Sequence, residues 1–113
     1  MKVAALVPAV TANVRFSLRD RKRLPAESGC YALASFEGDI LYVGLAADLS
    51  RRFCQHREDD SKRQATRGVA VTWFYYATFP KANLRRVERG WMNQYRDRHG
   101  ELPPLNKVYS PVS

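Results

Sequence analysis

The sequence predicts an α/β (α+β) fold: a small sandwich in which a three-stranded antiparallel sheet is flanked by helices, in the order ββαβα. Two apolar segments, 28–36 and 40–44, are separated by the turn Glu37-Gly38-Asp39, a pattern typical of a hairpin. A third segment, 69–77, is rich in β-branched and aromatic residues and predicts the third strand. At 113 residues the chain is long enough for one modest core.

The segment before the hairpin is predicted to be a basic N-terminal extension over residues 1–23, with the folded domain over 24–113. Residues 14–18 alternate apolar and polar side chains, which indicates a short edge strand. Residues 19–23 carry four basic side chains and one acid. They are either a solvated linker or an arm that contacts phosphates.

Two helices complete the predicted fold. Asp48 is a suitable N-cap for a helix over 49–57. A polar segment over 58–68 is predicted to be a loop. A longer helix is expected over 81–98, ended by Gly100 and followed by two prolines.

The charge of the chain favours a polyanionic partner. The formal net charge is +8, and 14 of the 19 basic residues are arginine, which binds phosphate in a bidentate manner. Codon bias in a GC-rich genome explains the high number of arginines equally well. We expect nucleic acid rather than a membrane as the partner of so basic a chain. No stretch approaches the ~20 apolar residues of a membrane span.

The two cysteines lack the spacing of a metal site. Cys30 lies in a predicted strand and Cys54 in a predicted helix, without a CxxC pair. We expect two free, buried thiols and a cytoplasmic location.

The long helix carries one carboxylate within an apolar stripe. Leu84, Glu88, Trp91 and Tyr95 follow one another at helical spacing and share one face. Burying the charge of Glu88 is costly unless it is paired or binds a metal. It either forms a salt bridge with an arginine or serves as a metal ligand.

The first helix repeats this arrangement. Phe53 and His56 follow the core-facing period, and Arg52 and His56 are i,i+4 neighbours that can reach one ligand together. His56 is either a core-capping side chain or part of a site. Tyr31 and Tyr42, on the two arms of the hairpin, are either amphipathic sheet aromatics or phenols that orient a water molecule.

The order and spacing of these residues carry a resemblance. The string Gly29-Cys30-Tyr31 is followed after ten residues by Tyr42-Val43-Gly44. Arg52, His56, Glu88 and Asn106 then come in turn. Over about residues 24–107 this pattern resembles the GIY-YIG nuclease superfamily, and 24–113 is expected to be a GIY-YIG-like nuclease domain.

The resemblance implies a divalent-metal-dependent endonuclease that hydrolyses DNA phosphodiester bonds at a single-metal site. Glu88 would be the carboxylate ligand of one Mg²⁺ or Mn²⁺ per active site. Tyr42 or Tyr31 would position or activate the water. Arg52 would stabilise the charge on the phosphate, and His56 would assist phosphate binding or proton transfer. The alternative is a catalytically inactive nucleic-acid-binding module with the same fold.

Further residues are expected to contact DNA, with Asn106 anchoring the site or contacting the DNA backbone. A protein partner or dimerisation would add specificity. The chain departs from the family pattern at Leu45, where repair members often carry Lys. The expected DNA-binding set is Gly44, Arg51, Arg57, Lys62, Arg63, Arg85 and Asn106.

Overall fold

Four strands of the described chain form one antiparallel sheet. The computed structural model describes residues 1–58 and 69–106. The strands pair in the order β1-β4-β2-β3, so β1 and β3 form the edges. In chain order, the elements are β1 (Ala12–Arg15), β2 (Gly29–Ala34), β3 (Ile40–Ala46), α1 (Leu49–Glu58), β4 (Trp73–Thr78) and α2 (Leu84–His99).

The α+β class is confirmed, whereas the predicted three strands and the order ββαβα are wrong by one strand. The fourth strand is β1, which pairs with β4 so that Val14 lies opposite Phe74. Its burial alternates, with Val14 buried between exposed neighbours, as expected of an edge strand. The strand lies two residues earlier than the 14–18 segment that the alternation indicates.

The two helices cover opposite faces of the sheet. On one face, Leu49 and Phe53 of α1 pack with Tyr31, Leu33 and Phe74. On the other face, α2 residues pack with the intervening side chains of the hairpin, among them Cys30 and Val43. The alternation along β2 therefore sends neighbouring residues to different helices. In β3 a register shift opposite Leu33 and Ala34 places both Ile40 and Val43 on the α2 face.

The hairpin and the helix ends follow the predicted chemistry. Gly38 adopts a φ of 87° in the turn between β2 and β3, a conformation that favours glycine. The Oδ1 atom of Asp48 accepts a hydrogen bond from the backbone N–H of Arg51 at 3.0 Å, which confirms the N-cap of α1. Gly100 ends α2 with a φ of 74° and donates its N–H to Arg96.

The N-terminal residues pack against α2. Val3 and Leu6 are buried in the core of that face. The indole Nε1 of Trp91 donates to the carbonyl of Pro8 at 2.9 Å, and the side-chain amide of Gln94 bonds both backbone groups of Val7. The boundary at residue 24 stays a prediction, but residues on both sides of it share one core.

A short tail covers the β3 edge of the sheet. The backbone N–H of Leu105 donates to the carbonyl of Leu41 at 2.9 Å. The side chain of Asn106 then accepts a hydrogen bond from the backbone N–H of Val43. Of the helices in the described ranges, neither has the length and apolarity that crossing a bilayer requires.

Candidate active site

Two phenols stack on the α1 face of the hairpin. In the register of β2 and β3, Tyr31 lies opposite Gly44 and Leu33 lies opposite Tyr42, so the two tyrosines are diagonal neighbours. Their ring centroids are 6.0 Å apart and nearly parallel. Tyr31 is 1% exposed, whereas Tyr42 is half-buried. The phenol that solvent reaches is therefore that of Tyr42.

The absence of a side chain at Gly44 makes room for the Tyr31 phenol. A Cβ at this position would lie 2.5 Å from the hydroxyl oxygen of Tyr31 and 2.9 Å from the ring of Tyr42. Real Cβ atoms do not approach other atoms this closely. Gly44, predicted as a DNA contact, thus has a structural part in placing both phenols.

His56 joins the two tyrosines from α1. Its Nε2 atom and the Tyr31 hydroxyl share a hydrogen bond of 2.5 Å. Its ring centroid lies 5.0 Å from that of Tyr42. Because His56 is buried and both rings contact it, the helix face predicted from the period of Leu49, Phe53 and His56 is confirmed.

Arg52 lies one helical turn before His56 and is half-buried, while Arg51 is exposed. Both arginines line a cavity of about 220 Å³ beside the N-terminus of α1, together with Asp48 and Gln55. The positive charge of Arg52 acts on Tyr31 and favours its ionised form. Arg52 therefore acts on Tyr31, the same phenol that His56 bonds.

Glu88 comes from α2, which covers the opposite face of the sheet. It is 1% exposed within the apolar stripe that also buries Leu84 and Trp91, as its spacing predicts. Its charge acts on both Cys30 and Tyr31, two adjacent residues of β2 that point to opposite faces. The carboxylate is therefore within electrostatic reach of the phenols.

The protonation of the β2 side chains follows from burial. Burial raises the pKa of Tyr31 well above its ordinary value, and Tyr42 and Glu88 raise it further while Arg52 opposes them. Burial raises the pKa of the Cys30 thiol to about 12, with a further contribution from Glu88. Both side chains are therefore neutral near pH 7. Cys30 is buried as expected, and Cys54 is only half-buried.

Asn106 holds the edge of β3 beside the site. Its Oδ1 accepts from the N–H of Val43 at 2.8 Å, and its Nδ2 donates to the carbonyl of Val43 at 2.9 Å. The side chain acts as a strand partner for the residue between Tyr42 and Gly44. This geometry fits the expected anchoring role, and contact with DNA stays a prediction.

The other predicted DNA contacts are dispersed. Arg85 is exposed on α2, and Arg57 of α1 lies over the ring of Phe16 at 5.1 Å. Lys62 and Arg63 lie outside the described residues. Whether any of these residues contacts DNA stays a prediction.

Sequence reasoning missed the aromatic support beneath the site. Phe74 of β4 stacks on Tyr31 with centroids 4.9 Å apart and an interplanar angle of 10°. Phe53 contacts the ring of Phe74 edge-on, with centroids 5.2 Å apart. The alternation of β4 could have indicated an inward Phe74, but its partner depends on the strand order β1-β4-β2-β3.

The donor set suits one hard divalent cation. Glu88 supplies a buried carboxylate, the oxygen ligand that Mg²⁺ and Mn²⁺ prefer. Among the described residues, no cluster of three or more His, Cys, Asp or Glu side chains is arranged to hold a metal ion. A cation held by Glu88 would complete its coordination with water and substrate oxygens, which is the usual way in which Mg²⁺ is bound.

Two phenols, an imidazole and a guanidinium thus lie on one face of a strand pair, and a buried carboxylate acts on one of the phenols from the other face. These groups are of the kinds that phosphoryl-transfer sites use. Residues 27–101 match the family model of the GIY-YIG catalytic domain. The chain belongs to the GIY-YIG family, and the resemblance predicted from the sequence is confirmed.

Curated relatives agree with the family. The chain is 30% identical over 90 residues to UvrABC system protein C of Coxiella burnetii (strain Dugway 5J108-111), covering 78% of this chain and 15% of the relative. It is 27% identical over 96 residues to UvrABC system protein C of Methanosarcina barkeri (strain Fusaro / DSM 804), covering 82% and 18%. The chain spans less than a fifth of the length of these relatives.

Proposed function

We propose that the protein is a divalent-metal-dependent endonuclease that hydrolyses DNA phosphodiester bonds with one metal ion per active site. The observation that carries this proposal is the convergence of Tyr31, Tyr42 and His56 with the charges of Arg52 and Glu88, in a chain of the GIY-YIG family. The net charge of +8 supports DNA as the partner.

Each side chain has a distinct part in this proposal. Tyr42 is half-buried and presents its hydroxyl to the attacking water, which it orients. Tyr31 stays protonated and, with His56, fixes the ring of Tyr42. The guanidinium of Arg52 stabilises the negative charge that develops on the phosphate.

Glu88 would hold the cation, with Mg²⁺ or Mn²⁺ as the ion. When bound, the cation supplies Lewis-acid stabilisation of the phosphate oxygens. The buried carboxylate fits this part because its charge requires compensation.

A plasmid-nicking assay tests the proposal. Wild-type protein is expected to nick supercoiled DNA with Mg²⁺ or Mn²⁺ and to lose this activity in EDTA. Glu88→Gln should lower the rate by about a hundredfold or more. A bound metal ion stabilises the transition state by several kcal/mol, and each loss of about 1.4 kcal/mol slows the reaction tenfold. The control, Glu37→Gln, removes one exposed carboxylate at the hairpin turn and should match the wild type.

Two results would contradict the proposal. Nicking that persists in EDTA, or that survives Glu88→Gln, excludes the metal-dependent mechanism. Salt-sensitive DNA binding without any nicking would instead indicate the inactive nucleic-acid-binding module.

A further inference from the structure

A basic groove lies at the end of β1, and most of its lining residues precede the part of the chain that matches the family model. The groove has a volume of about 550 Å³ and is lined mainly by Arg15, Phe16, Ser17, Arg19, Asp20 and Thr72. The short 3₁₀ helix Leu18–Arg23, which packs against α1, forms one wall.

Two arginines line the groove, and a third lies over one of its aromatic side chains. Arg15 extends from β1 with its guanidinium 5.7 Å from the centroid of Trp73, and Arg19 lies exposed on the 3₁₀ helix. Arg57 of α1 lies over Phe16, which lines the groove. Stacking on aromatic rings holds Arg15 and Arg57 in place, which lowers the entropic cost of binding an anion.

The acid in the groove is already engaged. Asp20 forms an ion pair with Arg23 at 3.7 Å. The charges of Arg15 and Arg19 therefore exceed that of the single carboxylate among the lining residues named above.

Aromatic contacts connect the groove to the candidate active site. Phe16 contacts Phe53 at 5.6 Å, Phe53 contacts Phe74 at 5.2 Å, and Phe74 stacks on Tyr31 at 4.9 Å. Phe16 and the phenols therefore share the α1 face of the sheet, whereas the Arg15 side chain lies with Trp73 on the α2 face, at the border of the groove.

The strand register gives the separation. Arg15 pairs with Trp73 and Trp73 with Ala34, three residues along β2 from Tyr31. This is about 10 Å along the strand and about 10 Å across two strand spacings, or about 14 Å in all. This separation of backbone positions is well below the ~34 Å of one helical turn of B-DNA, so one duplex can reach both places.

We propose that the basic groove binds the phosphate backbone of the duplex substrate within one helical turn of the phosphate at the active site. The inference rests on the proposed function, since it takes the substrate to be duplex DNA. It resolves the two alternatives for residues 19–23 in favour of a phosphate-contacting arm. This surface would then supply part of the binding energy.

The salt dependence of binding tests the groove apart from catalysis. Binding to a fluorescein-labelled 30-base-pair duplex is measured in EDTA between 50 and 200 mM salt. Arg19→Gln should reduce the slope of log K against log salt by about 0.9, and Arg15→Gln/Arg19→Gln by about 1.8. Arg98→Gln, which removes one exposed charge from the far end of α2, should leave the slope unchanged.

A methylphosphonate scan locates the contact. Once the wild-type nick is mapped on an end-labelled duplex, single phosphates are neutralised in turn. Neutralisation of a phosphate within one helical turn of the nick should weaken binding by wild type and leave binding by Arg15→Gln/Arg19→Gln unchanged. Equal weakening in both proteins contradicts the groove.

The outcomes separate the two proposals. An unchanged salt slope in the folded double variant, checked by circular dichroism, overturns the groove whether or not the wild type nicks DNA. A reduced slope with no nicking overturns the endonuclease and retains the groove. A protein that binds no duplex overturns both.

Discussion

The two tyrosines of the site are chemically alike but differ in position. Tyr31 is enclosed between Phe74, His56 and the backbone at Gly44, whereas Tyr42 borders solvent. The sequence could not rank them, because the ranking depends on the hairpin register and on which face each helix covers. Burial ranks Tyr42 as the phenol that meets water.

Phenylalanine substitutions test this ranking. Tyr42→Phe should lower the nicking rate by about a hundredfold, the effect of losing one oriented polar group in a site. Its free energy of unfolding should change by less than about 0.5 kcal/mol, since a half-buried hydroxyl is lost. Tyr31→Phe should cost about 1 kcal/mol of stability through the lost hydrogen bond to His56 and lower the rate less.

Nicking rates and urea unfolding curves measure both effects. A Tyr31→Phe rate below that of Tyr42→Phe, at full folding, would reverse the assignment. In that case the buried phenol, and not the half-buried one, would act on the water.

Helical periodicity predicted the directions of Glu88, His56 and Phe53 correctly, because α-helical geometry alone fixes which residues share a face. It could not show that Glu88 approaches the strand pair from the opposite face to His56. That relation arises from the alternation of Cys30 and Tyr31 along β2.

At the scale of elements, the edges of the sheet were the least predictable part. β1 contains only four residues and buries one of them, so its apolar signal is weak. At the other edge, the contact between Val43 and Asn106 spans 63 residues. No local sequence pattern indicates a contact between residues that lie so far apart in the chain.

Asn106 replaces a missing strand at that edge, and its loss should be costly. Asn106→Ala leaves the buried N–H and carbonyl of Val43 without the amide, which we expect to lower the free energy of unfolding by about 2 kcal/mol. Nicking should fall as well, because Val43 separates Tyr42 from Gly44. The control Asn13→Ala removes an exposed amide from β1 and should change stability by less than about 0.5 kcal/mol.

Urea unfolding of the three proteins measures these differences. Equal stabilities of Asn106→Ala and Asn13→Ala would show that the amide does not hold β3. Lost DNA binding at unchanged stability would instead assign Asn106 to the DNA interface.

At the scale of the whole molecule, the sheet separates two cores. The α1 core supports the phenols, and the α2 core contains Glu88 and receives the N-terminal residues. The bulk composition could predict one small domain, but not that residues before the family match at 27–101 complete one of its cores. The apolar side chains of Val3 and Leu6 become informative only when α2 is seen to cover them.

Leu6 and Val7 offer a matched test of this integration, because they are adjacent and apolar but differ in burial. Leu6 is 1% exposed and Val7 is 71% exposed. Leu6→Ala should lower the free energy of unfolding by about 2–5 kcal/mol, the usual cost of a cavity in a packed core. Val7→Ala should change it by less than about 0.5 kcal/mol. Urea unfolding is followed by tryptophan fluorescence and by circular dichroism. Because Trp91 bonds Pro8, its fluorescence reports on the N-terminal contact. Both signals should change in one coincident transition in each protein. If Leu6→Ala matched Val7→Ala, or if a separate early transition appeared, the N-terminal residues would be an appendage and the α2 core would close without them.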